Sequence, residues 1–239
     1  MHKPDIRHYE GQDLEALSDM PRYTGWILEH FARHIHGRVV EIGAGIGNVS
    51  VRYVEQLDEA LLVEPAANLH ERLKERVAHL PHVHTANALL EDVDPALVRE
   101  PFDAALLVNV LEHVEDDAAL LRHIHGLLKP GGALLLFVPA LPWLYGTLDR
   151  RIHHVRRYLK PELADLLRAA GFQIGTLRYF DLLGIAPWLV AGRVVKTQEF
   201  NQSGAQWYDR LGVPVTRWLE ERVEPLLGKS LIAIAYRPQ

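Results

Sequence analysis

Val39-Val-Glu-Ile-Gly-Ala-Gly-Ile-Gly-Asn48 decides the fold. Residues 38–42 are a short, nearly continuous apolar run, the pattern of a strand buried on both faces. The run breaks into a glycine loop at residues 43–47. Glycines at such a junction let the backbone turn tightly and approach a ligand closely. A helix is expected over residues 48–57, and its first N–H groups and positive dipole end would suit a carboxylate or a phosphate. The dinucleotide fingerprint G-x-G-x-x-G is broken, because Asn48 stands where its third glycine belongs. No Gly-Lys-Ser/Thr follows, which excludes a Walker loop.

Outward from this stretch, short apolar runs alternate with helix-like segments. Strands are expected at residues 60–64, 82–85, 103–109, 133–138, 172–180 and 231–236. Pro65 opens a charged helix, the Lys129-Pro-Gly-Gly132 turn introduces the fifth strand, and residues 161–170 read as a helix with Pro161 at its first position and Gly171 as its stop. Alternation of this kind implies a parallel sheet with both faces covered. Residues 181–230 interrupt the pattern before the last strand. They carry Trp188, Trp207 and Trp218, with Tyr208, Leu211, Val215 and Leu219 at helical spacing. This helical insert reads as extra packing on the sheet, as a lid over a pocket, or as an interfacial helix pair.

Composition narrows the partners. The chain has 239 residues, 48 % of them hydrophobic, which is enough for a full core, and a single domain over residues 1–239 is expected. A formal charge of −5 with interspersed acids and bases offers no basic stripe for nucleic acid. There is no cysteine, which excludes disulfides and thiolate sites and fits a cytoplasmic protein. The first ten residues are polar and lack the apolar core of a signal peptide. The longest apolar run near the C-terminal side, residues 182–192, is broken by Pro187 and falls short of the ~20 residues a spanning helix needs. Contact with a membrane surface, but not a crossing, stays open.

Glu64 ends the second strand at the distance from the loop where a carboxylate accepts from both hydroxyls of a ribose. Ligands of open α/β sheets bind outside the carboxyl ends of the strands, which gathers Glu41, Gly43, Glu64, Asn87 and Asn109 around one crevice.

The segment 39–48 resembles motif I of the class I S-adenosylmethionine-dependent methyltransferases. Leu62-Val-Glu-Pro65 resembles their next motif, Leu107-Val-Asn-Val-Leu-Glu-His-Val114 their fourth-strand motif, and Leu127-Leu-Lys-Pro-Gly-Gly132 their turn before the fifth strand. The resemblance spans about residues 20–180, in the family's order. It implies a Rossmann-like seven-stranded sheet, mostly parallel with an antiparallel last strand, and S-adenosyl-L-methionine as methyl donor, with S-adenosyl-L-homocysteine as product. It further implies that the backbone of Gly43, Ala44, Gly45 and Asn48 holds the methionine moiety, with Glu64 and Pro65 at the ribose. Asn87 and Ala88 would lie at the adenine, where many members carry an aspartate. Asn109, Val110 and His113 would line the methionine side. Tyr23, with Arg22 and Trp26, resembles a helical N-terminal cap, residues 1–36, that closes over the donor.

After the fifth strand, residues 139–158 form a loop rich in Pro, aromatic and charged residues. They resemble a bacterial subgroup with an Asp…His-x-Arg-Arg-Tyr pattern, matched here by Asp149, His154, Arg156, Arg157 and Tyr158. The accepting atom, oxygen, nitrogen or carbon, is left open: an amine must arrive neutral, whereas a hydroxyl must lose its proton, a task suited to an imidazole. His154 is the candidate base, Asp149 its orienting partner, and Tyr158 the third candidate catalytic residue; a structural polar network is the competing reading. The many other histidines match no standard ligand spacing, so no metal is expected. The acceptor is read as a small molecule, apolar or lipid-linked, and the protein as a monomer or homodimer. Other uses of the sulfonium, a donor-binding scaffold without turnover, and a nicotinamide enzyme are the alternatives; the broken fingerprint disfavours the last.

Overall fold

A computed structural model describes residues 20–194 and 202–239. Seven strands form one sheet: β1 (Arg38–Ile42), β2 (Glu59–Val63), β3 (Val83–Ala86), β4 (Phe102–Val108), β5 (Leu128–Pro139), β6 (Gln173–Phe180) and β7 (Ser230–Tyr236). Across the sheet they run β3-β2-β1-β4-β5-β7-β6. Every pairing is parallel except those of β7, which lies antiparallel between β5 and β6. The sheet expected from the sequence is thus present. Its fifth strand begins earlier than expected and takes in the Pro-Gly-Gly turn.

Strand alternation explains why these apolar runs are nearly unbroken. Val40, Ile42, Leu61, Val63, Ala105 and Leu107 enter the core on one face, while Val39, Ala60, Leu62, Ala104 and Leu106 enter the core on the other. On the first face lie α3 (Asp117–Leu127) and α5 (Lys160–Ala169), contributing Leu121, Ile124, Leu163 and Leu167. On the second lie α1 (Pro21–Phe31) and α2 (Ala67–Val77), contributing Trp26, Phe31, Leu73 and Val77. Each helix buries one apolar stripe against the sheet. The carboxylate of Asp116 caps α3 by accepting from Ala119 N at 2.8 Å.

One expected helix is absent. Residues 48–57 form two single 3-10 turns, Ser50–Arg52 and Val54–Gln56. Buried Glu41 draws the segment inward, its Oε2 accepting from Ser50 Oγ at 2.5 Å and Tyr53 OH at 2.7 Å. Val49, Val51 and Val54 also resist helix through their stiff χ1.

The strand order reverses between β1 and β4, and the carboxyl ends of these two strands open the crevice where ligands of such sheets sit. Both unusual segments emerge at that end. The chain after β5 folds into α4 (Thr147–Arg151) and returns as Ala140 pairs with Tyr158. The insert also leaves and rejoins there, since Ser230 pairs with both Pro139 and Phe180. Its described parts are α6 (Ile185–Leu189), a π turn (Val190–Val194), α7 (Gln202–Trp207), a second π turn (Tyr208–Gly212) and α8 (Val213–Glu220). Residues 1–19 of the expected cap, and residues 195–201, lie outside the described residues.

Three inward carboxylates hold the insert down. Asp209 accepts from the first amides of α1, Tyr23 N at 2.8 Å and Arg22 N at 3.3 Å. Glu220 accepts from Leu182 N at 2.8 Å. Asp181, fully buried at a positive φ of 66°, accepts from Tyr208 OH and pairs with Lys229 Nζ at 3.0 Å. Among the described residues no helix is long and apolar enough to cross a membrane.

Candidate active site

The glycine loop crosses from β1 toward β2. Gly43 N and Ala44 N donate to Val63 O at 2.8 and 3.1 Å. Gly43, Gly45 and Gly47 have φ of 70°, 57° and 81°, a region where a Cβ is strained. A Cβ on Gly43 would also fall 2.5 Å from Val110 Cγ2, so the loops after β1 and β4 touch across the switch point. Asn48 fastens the loop to α2: its Oδ1 accepts from Arg76 Nη1 at 2.7 Å, and the same nitrogen donates to Ile46 O at 2.9 Å.

Glu64 is buried at the end of β2. Its Oε2 accepts from Gly45 N at 2.8 Å and its Oε1 from Ala66 N at 2.9 Å. Burial raises its carboxyl above the usual range against the pull of these two amides. Asn87 donates its amide protons to Glu64 O and Pro65 O at 2.9 and 3.0 Å, which keeps its Oδ1 as the acceptor. Pro65 and Ala88 are half-buried beside it. Asn109 stands at φ 54° with its amide on Phe137 O at 2.9 Å, an αL position that asparagine tolerates better than most residues.

Two expected donor contacts sit elsewhere. Tyr23 is 2 % exposed, its ring edge-on to Trp26, Phe137 and Phe180, so it is part of the core rather than a cover over the crevice. The Glu41 carboxylate faces Ser50 and Tyr53 inside the protein, and burial pushes it up to about 7. It braces the loop from behind.

Asp149 is the hub of the second half of the site. Its Oδ1 meets His154 Nδ1 at 3.0 Å and Arg157 Nε at 2.6 Å, and its Oδ2 accepts from Gly146 N at 2.9 Å. Burial works against its charge, but the His154 and Arg157 contacts hold its carboxyl below the usual range. Arg157 also donates to Ala140 O at 3.0 Å and lies under Trp188 of the insert. Tyr158 is buried, and its hydroxyl contacts Leu111 O at 3.1 Å and Asp117 Oδ2 at 3.0 Å. Arg156 pairs with the same Asp117 oxygen at 2.8 Å, and Val155 N donates to Glu112 O at 2.9 Å. Arg156, Arg157 and Tyr158 thus bolt the segment to the loop after β4 and to the end of β5.

His154 is left facing a residue that sequence reasoning missed. Glu112 is fully buried, and neither carboxylate oxygen has a hydrogen-bond partner. Burial pushes it up to about 7, and Oε1 lies 3.6 Å from His154 Nε2. His113 stands edge-on to His154 at 4.8 Å, and although the residue is exposed, protein atoms crowd its ring. That crowding, with His154 beside it, lowers its imidazole to about 3. Glu112, His113 and His154 each offer one ligand atom within 4.8 Å of the others, a carboxylate–imidazole set of the kind that holds a divalent cation.

Three glycines at positive φ, a buried acid at the end of β2 and an amide oxygen beyond β3 fit a ligand that carries an amino acid, a ribose and an adenine. Sheet and site together define the class I S-adenosylmethionine-dependent methyltransferase fold. Residues 14–177 match the family model described as a methyltransferase domain, and the chain belongs to that family. It is a methyltransferase, and S-adenosylmethionine is its donor. Over 200 residues it is 28 % identical to a ubiquinone biosynthesis O-methyltransferase of Azotobacter vinelandii, covering 75 % of this chain and 79 % of that one. Among solved structures, the N-methyltransferase NodS from Bradyrhizobium japonicum, in complex with S-adenosylhomocysteine, is similar with a TM-score of 0.62 at 15 % identity, covering 96 % of this chain and 94 % of that one. The [4+2]-cyclase SpnF is similar with a TM-score of 0.58 at 19 % identity, covering 99 % and 88 %. Likeness at that level is of fold, and fold alone does not fix chemistry.

Proposed function

We propose that the enzyme methylates a hydroxyl of a small apolar acceptor, with the Asp149–His154 pair taking the hydroxyl proton. The observation that carries this reading is the contact of Asp149 with His154 Nδ1, inside a hub that fixes the buried ring and turns Nε2, the nitrogen that would take the proton, toward Glu112. The bound donor supplies an electrophilic methyl on sulfur. The chain's part is to align the two reactants and exclude water. Gly43, Gly45 and Glu64 would fix the donor, and Asn109 and Val110 the side from which the methyl is presented. As the new O–C bond forms and the S–C bond breaks, His154 Nε2 takes the proton and Asp149 stabilises the resulting cation. Tyr158, with Arg157, positions the loop. Trp188, half-buried against Arg157, gives the acceptor side an apolar wall, and the relatives named for O-methylation in ubiquinone biosynthesis support a small apolar substrate. His154→Ala should keep its affinity for S-adenosylhomocysteine and lose roughly 10²-fold in kcat on a hydroxylated aromatic acceptor. A folded variant that turns over at the wild-type rate overturns the base assignment.

Glu112 favours a second reading. Its two unpartnered oxygens beside His113 and His154 suit a divalent cation that would bind the acceptor oxygen and lower its pKa. On this reading Asp149 orients a ligating histidine. Chelator-treated protein separates the two. Restoration of activity by Mg²⁺ or Mn²⁺, lost in Glu112→Gln, selects the cation; full activity after chelation selects the base.

A further inference from the structure

The helical segment after residue 202 is built the wrong way round for a surface helix. Its acids, Asp209 and Glu220, point inward together with Ala205, Val213 and Thr216. Its outer side carries Trp207, Leu211, Val215 and Trp218, and the turn that follows adds Val223 and Leu226. Trp207 is 64 % exposed, Trp218 54 % and Leu226 90 %. The spacing 207, 211, 215, 218 places the helical members on one stripe. A contiguous exposed apolar face of this kind marks a surface that meets something.

The charges around the stripe say what. Glu221 is held by Arg217 at 2.8 Å, and Glu224 by Lys160 at 3.4 Å. Arg210 and Arg222 form no ion pair among the described residues, and Arg222 lies 4.1 Å over the Trp218 ring. The face therefore combines tryptophan and aliphatic residues with an excess of arginine, since Arg210, Arg217 and Arg222 outnumber the two outward acids, Glu221 and Glu224. A second copy would bring the same excess of arginine to the contact. An anionic bilayer satisfies both components: indoles and aliphatic side chains enter the headgroup boundary while the guanidinium groups meet lipid phosphates.

We propose that this outer face, residues 207–226, docks the enzyme on an anionic lipid surface. Asp209 on Tyr23 N and Arg217 on Glu29 lay the segment alongside α1, and the insert rejoins the sheet at Ser230, opposite Pro139. The inference goes beyond the proposed chemistry, because it concerns where the enzyme sits and not which atom it methylates.

Vesicle flotation tests it without any acceptor. The whole protein should bind phosphatidylcholine vesicles containing phosphatidylglycerol, with brominated acyl chains quenching its indole fluorescence, and binding should weaken as salt rises. Trp207→Ser with Trp218→Ser, and separately Arg210→Gln with Arg222→Gln, should each reduce partition by roughly tenfold or more. All four side chains are exposed and outside the donor site, so melting temperature and S-adenosylhomocysteine affinity should stay at wild-type values. Absence of vesicle binding, or binding that both double variants retain, overturns the proposal. A dimer in sedimentation that the tryptophan variant dissociates, without lipid binding, gives the face to a second copy and overturns it equally.

Discussion

Glu64 meets two backbone amides, those of Gly45 and Ala66, through different oxygens. It is therefore preorganised, and each oxygen keeps a second lone pair for a ribose hydroxyl. Removing it takes away the brace on the loop. Glu64→Ala should weaken S-adenosylhomocysteine binding by about 2–4 kcal/mol, the range for losing charge-assisted hydrogen bonds. Isothermal titration showing unchanged affinity would remove the ribose assignment. The place of Glu64 at the end of β2, against the glycine loop, could be read from the sequence because it depends on a fixed offset along adjacent strands. Asp149 and His154 are close in the chain, so their pairing was readable too. Glu112 was not: its environment is made by His154, which arrives from a distant loop. Tyr23 and Glu41 failed for the opposite reason. Position near the crevice says nothing about which way a side chain turns, and Phe137, Phe180, Ser50 and Tyr53 claimed them.

The segment after the glycine loop shows the same limit at the scale of an element. Strands were readable because burial on both faces leaves a continuous apolar signature. The expected helix over residues 48–57 was lost to one buried acid, Glu41, that no local pattern exposes. This acid gives the element a pH dependence. Its carboxyl is raised from 4.5 to about 7 in the folded protein, so between those values the folded state holds a proton that the unfolded chain has released. The contribution is complete below about pH 4.5 and is lost as pH rises toward 7. Glu41→Gln keeps an acceptor for Ser50 or Tyr53 and cannot ionise. Thermal melts should therefore show a flatter stability profile between pH 4.5 and 7 than wild type, the difference being on the order of 1–3 kcal/mol. Parallel profiles would mean that Glu41 ionises inside the fold at no cost.

For the whole molecule, the decisive feature is the place of β7. It is the strand partner of β6 and lies between β6 and β5, although it follows every other strand in the chain. A chain ended after Gly228 leaves β6 with no strand neighbour and Asp181 without Lys229. Limited proteolysis of that truncation should cut within residues 173–228 while the region from β1 to β5 resists. Equal resistance throughout would show that β6 docks without its neighbour. The same arrangement sets an order of birth. As the ribosome releases the polypeptide, the five strands that carry the donor loops can assemble early, whereas β6 and the insert must wait for the residues that wedge between them. A nascent enzyme therefore acquires its place for the methyl donor first. The insert, with the apolar face it carries, is fixed to the sheet in one late step, when β7 enters between β5 and β6.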